Sequence, residues 1–347
     1  MAEARVYRSL VNTLLDEGIR FDGLFTLLTL WFIAGVFLDG RSHTHGAPET
    51  FFTLEHGIFY TAFLAITVLL GGIIYRNRTR GHSWSEILPD GYWLSVAGVA
   101  LFGVAGAGDM VWHEVFGIEA NVEALLSPTH LLLMIGAGLF VSGPLRSAWH
   151  RLDPAESGWS AQLPLVLSAT ITLSVLTFAT MYVHPIVNPL AGAGHQHAGA
   201  IPLIVVHELG VASILLQTAI LMGSLLVLVR RFSLPQGALT VVLTLNASAM
   251  SLLTEHYQFI PAWLLAGVVA DLLVHEFDRS RSLAWRGFGV AVPVALFGLY
   301  FGTLWMTEGI AWTVHVWVGA IVLAGIVGWL GSYLVAPPTI DDPSITQ

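Results

Sequence analysis

Three residues of types that commonly bind metal ions lie close together in the sequence. Asp109 and His113 are four residues apart in Asp-Met-Val-Trp-His, and His130 follows in Ser127-Pro-Thr-His. Residues four apart share one face of a helix. A Ser N-cap followed by Pro at the first helical position is typical of a helix start, which predicts His130 in the first turn of the next helix. The pattern predicts a carboxylate and two imidazoles at the ends of two helices, a set that suits a divalent metal ion.

The residue types narrow the choice of metal. The chain has no Cys, so thiolate sites are excluded. A carboxylate with two neutral imidazoles suits copper, zinc or iron, and we expect copper first. The same set also matches the two-His, one-carboxylate arrangement of non-haem iron sites. Glu114, next to His113, is a candidate catalytic base or a residue that orients a metal ligand.

The elements that must position these residues are predicted to be membrane-spanning helices. Of 347 residues, 55% are hydrophobic and 11% are charged, against about 25% charged in soluble proteins. Apolar runs of roughly 17–25 residues recur along the chain, each long enough to cross a lipid bilayer. The fold class is therefore expected to be all-α, a polytopic helical bundle in the plasma membrane. The net charge of -9 provides no basic surface for nucleic acid, so nucleic-acid binding is excluded.

Ten spans can be placed along the chain. They are residues 24–38, 58–74, 92–108, 129–145, 163–182, 203–229, 238–254, 262–274, 291–305 and 312–334. The seventh and eighth are short and could instead form one re-entrant hairpin. Residues 1–21 are predicted to be a cytoplasmic amphipathic segment, 22–336 the transmembrane domain, and 337–347 a cytoplasmic tail.

Arginine predicts the orientation of these spans. The 14 basic residues are all Arg, and every one except Arg41 falls on the same side of the ten-span map. The positive-inside rule places that side, and both termini, in the cytoplasm. Apart from His82, His150 and His275, the 14 His fall on the opposite side. The metal site is therefore expected to face the extracytoplasmic side.

Several helical hairpins look alike and suggest a second site. Spans two, four, six and ten each begin near a His, and the spans before them end in an acidic residue or a His, which hints at duplicated hairpins. The outward ends of those preceding spans are Asp39, Asp109, His184 and Glu308. The candidate residues for a second site, which could instead complete the first site or be interfacial residues paired with their neighbours, are His56, His207, Glu255, His256 and His315. His43 and His45 are predicted to lie in a loop, which could capture metal loosely or act as a flexible linker.

The segment from Asp109 to His130 resembles the C subunit of the particulate methane and ammonia monooxygenases. That subunit carries Asp-x-x-x-His followed by a Thr-Pro-Ser-His-like helix start. The resemblance implies that Asp109, His113 and His130 are copper ligands and that the chain is an oxidoreductase, or a subunit of one. Other membrane subunits, or further copies of the chain, would then be its partners. The match covers some 22 of 347 residues; the loop is several residues longer here, and Ser and Thr are exchanged around the Pro.

Two other classes of function stay open. A metal transporter or metal-delivery protein would need polar residues through the span centres, where the sequence offers Gln217, Asn246 and a few Ser and Thr. A b-type haem protein would need pairs of axial histidines. The candidates for that role are His56, His207, His256 and His315.

Overall fold

A computed structural model of the chain describes residues 18–46, 53–117, 122–151, 158–195, 202–276 and 278–337. Apart from short 3₁₀ turns and one isolated bridge between Gly192 and Ile310, the regular structure within these residues is α-helical. Most of the predicted N-terminal segment and of the predicted C-terminal tail lies outside the described residues.

The chain divides into two compact units, residues 1–175 and 176–347. The helices that begin in the first unit are α1 (Gly18–Thr44), α2 (Leu54–Thr79), α3 (Trp93–Phe116), α4 (Val122–Leu126), α5 (Pro128–Val141), α6 (Gly143–Arg151) and α7 (Trp159–Ala179). Those of the second unit are α8 (Leu203–Arg231), α9 (Ala238–Thr254), α10 (Ile260–His275), α11 (Ser282–Thr307) and α12 (Val314–Val335).

The helices account for all ten predicted spans. Nine segments of the described chain are long and apolar enough to cross a membrane, with α5 and α6 together forming one of them. The remaining predicted span is α9, a shorter apolar helix of 17 residues. The chain is therefore an all-α, multi-pass membrane protein in a lipid bilayer, and the predicted fold class is confirmed. The N-in, C-in orientation stays a prediction.

In the first unit, α1 packs against α2 and α3 packs against α5. Close approach of α3 and α5 depends on two glycines. A Cβ atom on Gly98 would lie 2.7 Å from the carbonyl oxygen of Gly136, and one on Gly136 would lie 2.8 Å from the backbone nitrogen of Phe102. Small residues at such contacts allow membrane helices to approach through their backbones. This contact holds the C-terminal end of α3 beside the start of α5.

Three phenylalanines join the two helix pairs of the first unit. Phe32 of α1 lies with its ring centroid 5.4 Å from that of Phe102 and 4.8 Å from that of Phe140. The rings meet edge to face, the arrangement favoured by their charge distribution. All three side chains are buried, so α1, α3 and α5 share one core.

The end of α1 corrects one prediction. His43 lies in the last turn of α1, which continues to Thr44, rather than in a loop. The helix extends past the apolar run because Arg41, Ser42 and His43 are compatible with a helix end at a membrane surface. His43 is thereby placed one turn after Asp39.

Candidate metal centre

Asp109 is the buried centre of the candidate site. It lies two turns before the end of α3 with 3% of its surface exposed. The Oγ1 atom of Thr129, on α5, donates a hydrogen bond of 2.7 Å to its Oδ1 atom. The carboxylate is therefore held by the neighbouring helix.

His113 follows Asp109 by one helical turn, as the spacing predicts. Its Nε2 atom lies 3.2 Å from Oδ2 of Asp109, and its Nδ1 atom lies 3.4 Å from the carbonyl oxygen of Gly117. Gly117 ends α3 with a φ of 85°, a conformation that favours glycine. With Nδ1–H donated to that carbonyl, the Nε2 lone pair would be available to a metal ion held between the ring and the carboxylate, and metal-binding histidines usually donate their other ring N–H in this way.

His130 lies in the first turn of α5, as predicted from Ser127-Pro128. Ser127 is the N-cap, and its Oγ atom accepts a hydrogen bond of 3.3 Å from the backbone N–H of His130. The same oxygen lies 2.7 Å from Nδ1 of the imidazole. That Nδ1 atom is also 3.4 Å from Oδ1 of Asp109. The cap that starts the helix thus directs the ring towards the carboxylate.

Asp109, His113 and His130, called the Asp109 site below, could hold one metal ion. One potential ligand atom from each residue can be chosen so that all three lie within 4.8 Å of one another, and no other group of three His, Asp or Glu in the described chain meets this condition. The two imidazole rings are 5.8 Å apart. These distances suit a shared ion, and they also suit a hydrogen-bonded network without one.

The surroundings of Asp109 differ from those of Asp22, the other carboxylate that is buried among the described residues of this unit. Asp22, near the start of α1, accepts a 2.7 Å hydrogen bond from Tyr92 and lies 2.6 Å from Nη1 of Arg151. A permanent cation therefore balances Asp22. Within the described residues, the groups that can pair with the Asp109 carboxylate as cations are the two imidazoles.

Sequence reasoning missed Thr129, although it stands inside the motif. Its position before His130 in the first turn was a usable signal, because a first-turn side chain can reach the end of the neighbouring helix. Glu114, the candidate catalytic base, is exposed. It follows His113 by one residue, and successive side chains point about 100° apart around a helix.

Of the residues predicted for a second site, His56 belongs to the first unit. Its Nδ1 atom lies 3.1 Å from Oδ1 of Asp39. Sequence reasoning placed Asp39 at the end of a span but did not pair it with His56. The signal was available, since Asp39, His43 and His56 repeat the residue types of the Asp109 site in the same order.

The other four predicted residues lie in the second unit. Nδ1 of His256 is 2.6 Å from the carbonyl oxygen of Ile186 and 3.0 Å from the hydroxyl of Thr254. The ring of His207 lies 5.7 Å from that of Trp312. Glu255 follows α9 with a φ of 62°, and His315 is exposed in the first turn of α12. The described residues of this unit contain no three-residue group like the Asp109 site.

A mostly apolar cleft of about 490 Å³ lies between α2 and α3, and His56 is among the residues that line it. Its lining includes Tyr60 and Phe63 from α2 and Gly106 and Met110 from α3. Met110 directly follows Asp109 in the sequence. The cleft offers space for an apolar molecule, although Asp109, His113 and His130 do not line it.

Comparison of the chain with protein-family models, with curated proteins and with solved structures gives no match. The structure itself establishes a multi-pass helical membrane protein with an Asp/His group able to hold a metal ion.

Proposed function

We propose that this chain is a membrane metalloprotein in which Asp109, His113 and His130 bind one divalent metal ion, with copper as the first candidate. The observation that carries the proposal is the convergence of three potential ligand atoms within 4.8 Å around a buried carboxylate. By the Arg distribution, the site faces the extracytoplasmic side of the plasma membrane.

The energetic argument starts from the burial of Asp109. An ionised carboxylate removed from water is costly unless a counter-charge or several hydrogen bonds compensate it. Among the described residues, the partners of Asp109 are the Thr129 hydroxyl and two imidazoles, and none of them carries a permanent charge. A divalent ion would bind the carboxylate and both imidazole lone pairs, and it would supply the charge that Arg151 supplies to Asp22.

The donor set supports copper and leaves two other metals as outcomes of the test. Among first-row divalent ions, Cu(II) binds nitrogen and oxygen ligands most tightly, while zinc and iron accept the same ligands. Three protein ligands also leave coordination positions open, which is typical of catalytic rather than structural metal sites.

An oxidoreductase, or a subunit of one, is the activity that these features favour. The resemblance to the monooxygenase C subunit supports it, and so does the apolar cleft beside Met110, which suits an apolar substrate. Copper bound at the Asp109 site would supply the redox chemistry. The chain's own groups would hold the metal and shape the space beside it. Further membrane subunits or copies of the chain would complete such an enzyme.

The test is metal analysis of the purified, full-length protein in detergent, with electron paramagnetic resonance and visible spectra. We expect bound copper in the wild type and its loss in the double variant His113→Ala/His130→Ala, with unchanged elution in size-exclusion chromatography. His150→Ala, which replaces an exposed histidine on the opposite side of the membrane, serves as the control and keeps the metal.

Three outcomes would contradict parts of this proposal. Unchanged metal content in the double variant would show that the three side chains form a hydrogen-bonded network only. Zinc or iron in place of copper would keep the site and change the metal. A Soret band in the visible spectrum, lost on replacing other histidines, would favour a b-type haem protein.

A further inference from the structure

The outer ends of α1 and α2 repeat the arrangement of the Asp109 site. Asp39 and His43 are four residues apart near the end of α1, as Asp109 and His113 are on α3. The Nε2 atom of His43 lies 3.7 Å from Oδ2 of Asp39, and the equivalent distance in the Asp109 site is 3.2 Å. The same pair of atoms faces each other in both places.

The start of α2 likewise repeats the start of α5. Thr53 is the N-cap of α2, and its Oγ1 atom accepts a 3.2 Å hydrogen bond from the backbone N–H of His56. That oxygen lies 2.8 Å from Nδ1 of His56, and Nδ1 lies 3.1 Å from Oδ1 of Asp39. The corresponding distances in the Asp109 site are 3.3, 2.7 and 3.4 Å.

Helix capping alone does not account for this repetition. A cap hydroxyl needs only a backbone N–H two or three residues later, whatever the side chain there. Three features are not part of a helix cap. They are the imidazole at the third helical position, the carboxylate opposite that imidazole, and the second imidazole one turn after the carboxylate. From this shared geometry we infer that Asp39, His43 and His56 form a second binding site for a divalent transition-metal ion, called the Asp39 site below.

The Asp39 site is wider and more open than the Asp109 site, and its three potential ligand atoms do not all lie within 4.8 Å of one another. The rings of His43 and His56 are 6.4 Å apart, against 5.8 Å for His113 and His130. The side chain of His43 is 42% exposed, so its ring can rotate towards an ion that arrives from water.

A second carboxylate also lies near the Asp39 site. Glu55 occupies the helix position that Thr129 occupies in α5, and it accepts a 3.1 Å hydrogen bond from Ser42. The additional negative charge favours a cation. The exposure favours rapid exchange, so we expect the Asp39 site to hold its metal less tightly than the Asp109 site.

The inference is tested by counting metal ions in the full-length protein, stripped with a chelator and titrated with Cu(II) or, separately, Zn(II). The wild type binds two ions per chain, the weaker one of which is lost in His43→Ala/His56→Ala. The double variant His113→Ala/His130→Ala keeps the weaker ion, and the variant lacking all four histidines binds neither. Asp39→Asn preserves the shape of the side chain, and we expect it to lower the affinity of the Asp39 site for its ion. This variant checks that the loss of the ion is not caused by misfolding.

His45→Ala is the matched control, because His45 lies two residues after His43, just beyond the end of α1, and its Nδ1 atom is 2.8 Å from the carbonyl oxygen of Arg41. It keeps both ions. A wild type that binds one ion, retained in His43→Ala/His56→Ala, would overturn the Asp39 site and leave the proposed function standing. A wild type that binds one ion, which is lost in His43→Ala/His56→Ala but kept in His113→Ala/His130→Ala, would support the Asp39 site and refute the Asp109 site.

Discussion

Thr129 donates a 2.7 Å hydrogen bond to the carboxylate of Asp109, the residue on which the proposed metal site is centred. Thr129 directly precedes His130, so the first turn of α5 supplies both an imidazole and the hydroxyl that holds the carboxylate in place. Groups that orient metal ligands in this way commonly contribute to metal affinity without touching the ion.

We therefore expect Thr129→Val to weaken metal binding about 10- to 100-fold, the range typical for loss of such an orienting hydrogen bond. Valine matches threonine in shape but cannot donate. Thr129→Ser keeps the hydroxyl and should bind metal nearly as tightly as the wild type. Titration with Cu(II) under a competing chelator measures the difference. Equal affinities for the valine and serine variants would show that the hydroxyl does not position Asp109.

The second prediction concerns the contact between α3 and α5. Gly136→Ala places a Cβ atom 2.8 Å from the backbone nitrogen of Phe102, so one helix must move. We expect a loss of about 1–3 kcal/mol of stability, as for other overpacked sites, together with weaker metal binding, because Asp109 and His130 lie on the separated helices. Thermal unfolding in detergent and metal titration report the two effects.

Gly138→Ala is the control on the same helix. A Cβ atom there would meet no other atom within 4 Å, so both variants gain the same methyl group but only one forces a contact. If Gly138→Ala lowered the melting temperature as much as Gly136→Ala, the close approach of α3 and α5 would not be the cause.

The third prediction separates stability from metal binding. Arg151→Ala leaves the carboxylate of Asp22 buried without its cation, and loss of one partner of a buried ion pair costs about 3–5 kcal/mol. Because Arg151 is 30% exposed, water compensates in part and we expect the lower end of this range. The folded fraction should still bind metal, since Asp22 lies near the opposite end of α1 from Asp39.

Arg281→Ala provides the comparison. Arg281 lies 3.1 Å from Asp278, but both side chains are more than half exposed, and exposed pairs of this kind contribute little to stability. Thermal unfolding of both variants checks the contrast. Equal melting temperatures for the two variants would mean that Arg151 does not stabilise the buried carboxylate of Asp22.

The fourth prediction concerns orientation, and the absence of native Cys makes it direct to measure. We expect Glu123→Cys, exposed in α4, to react with a membrane-impermeant maleimide on intact cells. Ser85→Cys, exposed between α2 and α3, should react only after the membrane is opened. The reverse pattern would place the metal site on the cytoplasmic side and overturn the Arg-based topology.

Much of this protein follows from the sequence alone. Apolar runs of membrane-spanning length determine an all-helical, multi-pass protein, because backbone groups in lipid must be satisfied within each segment. The spacing of Asp109 and His113 places them on one face of α3, and Ser127-Pro128 starts α5 just before His130. These features are local, and each depends on residues within about four positions of one another.

The tertiary structure decided which helix ends meet. Nothing local to His56 indicates that its partner is Asp39, because the two residues lie on different helices. Their contact depends on how α1 packs against α2. The same holds for Thr129 and Asp109, which the close approach at Gly98 and Gly136 brings together. Hydropathy specifies that a helix crosses the membrane, but side-chain packing specifies its neighbours. A site made from two helix ends is therefore complete only in the folded chain.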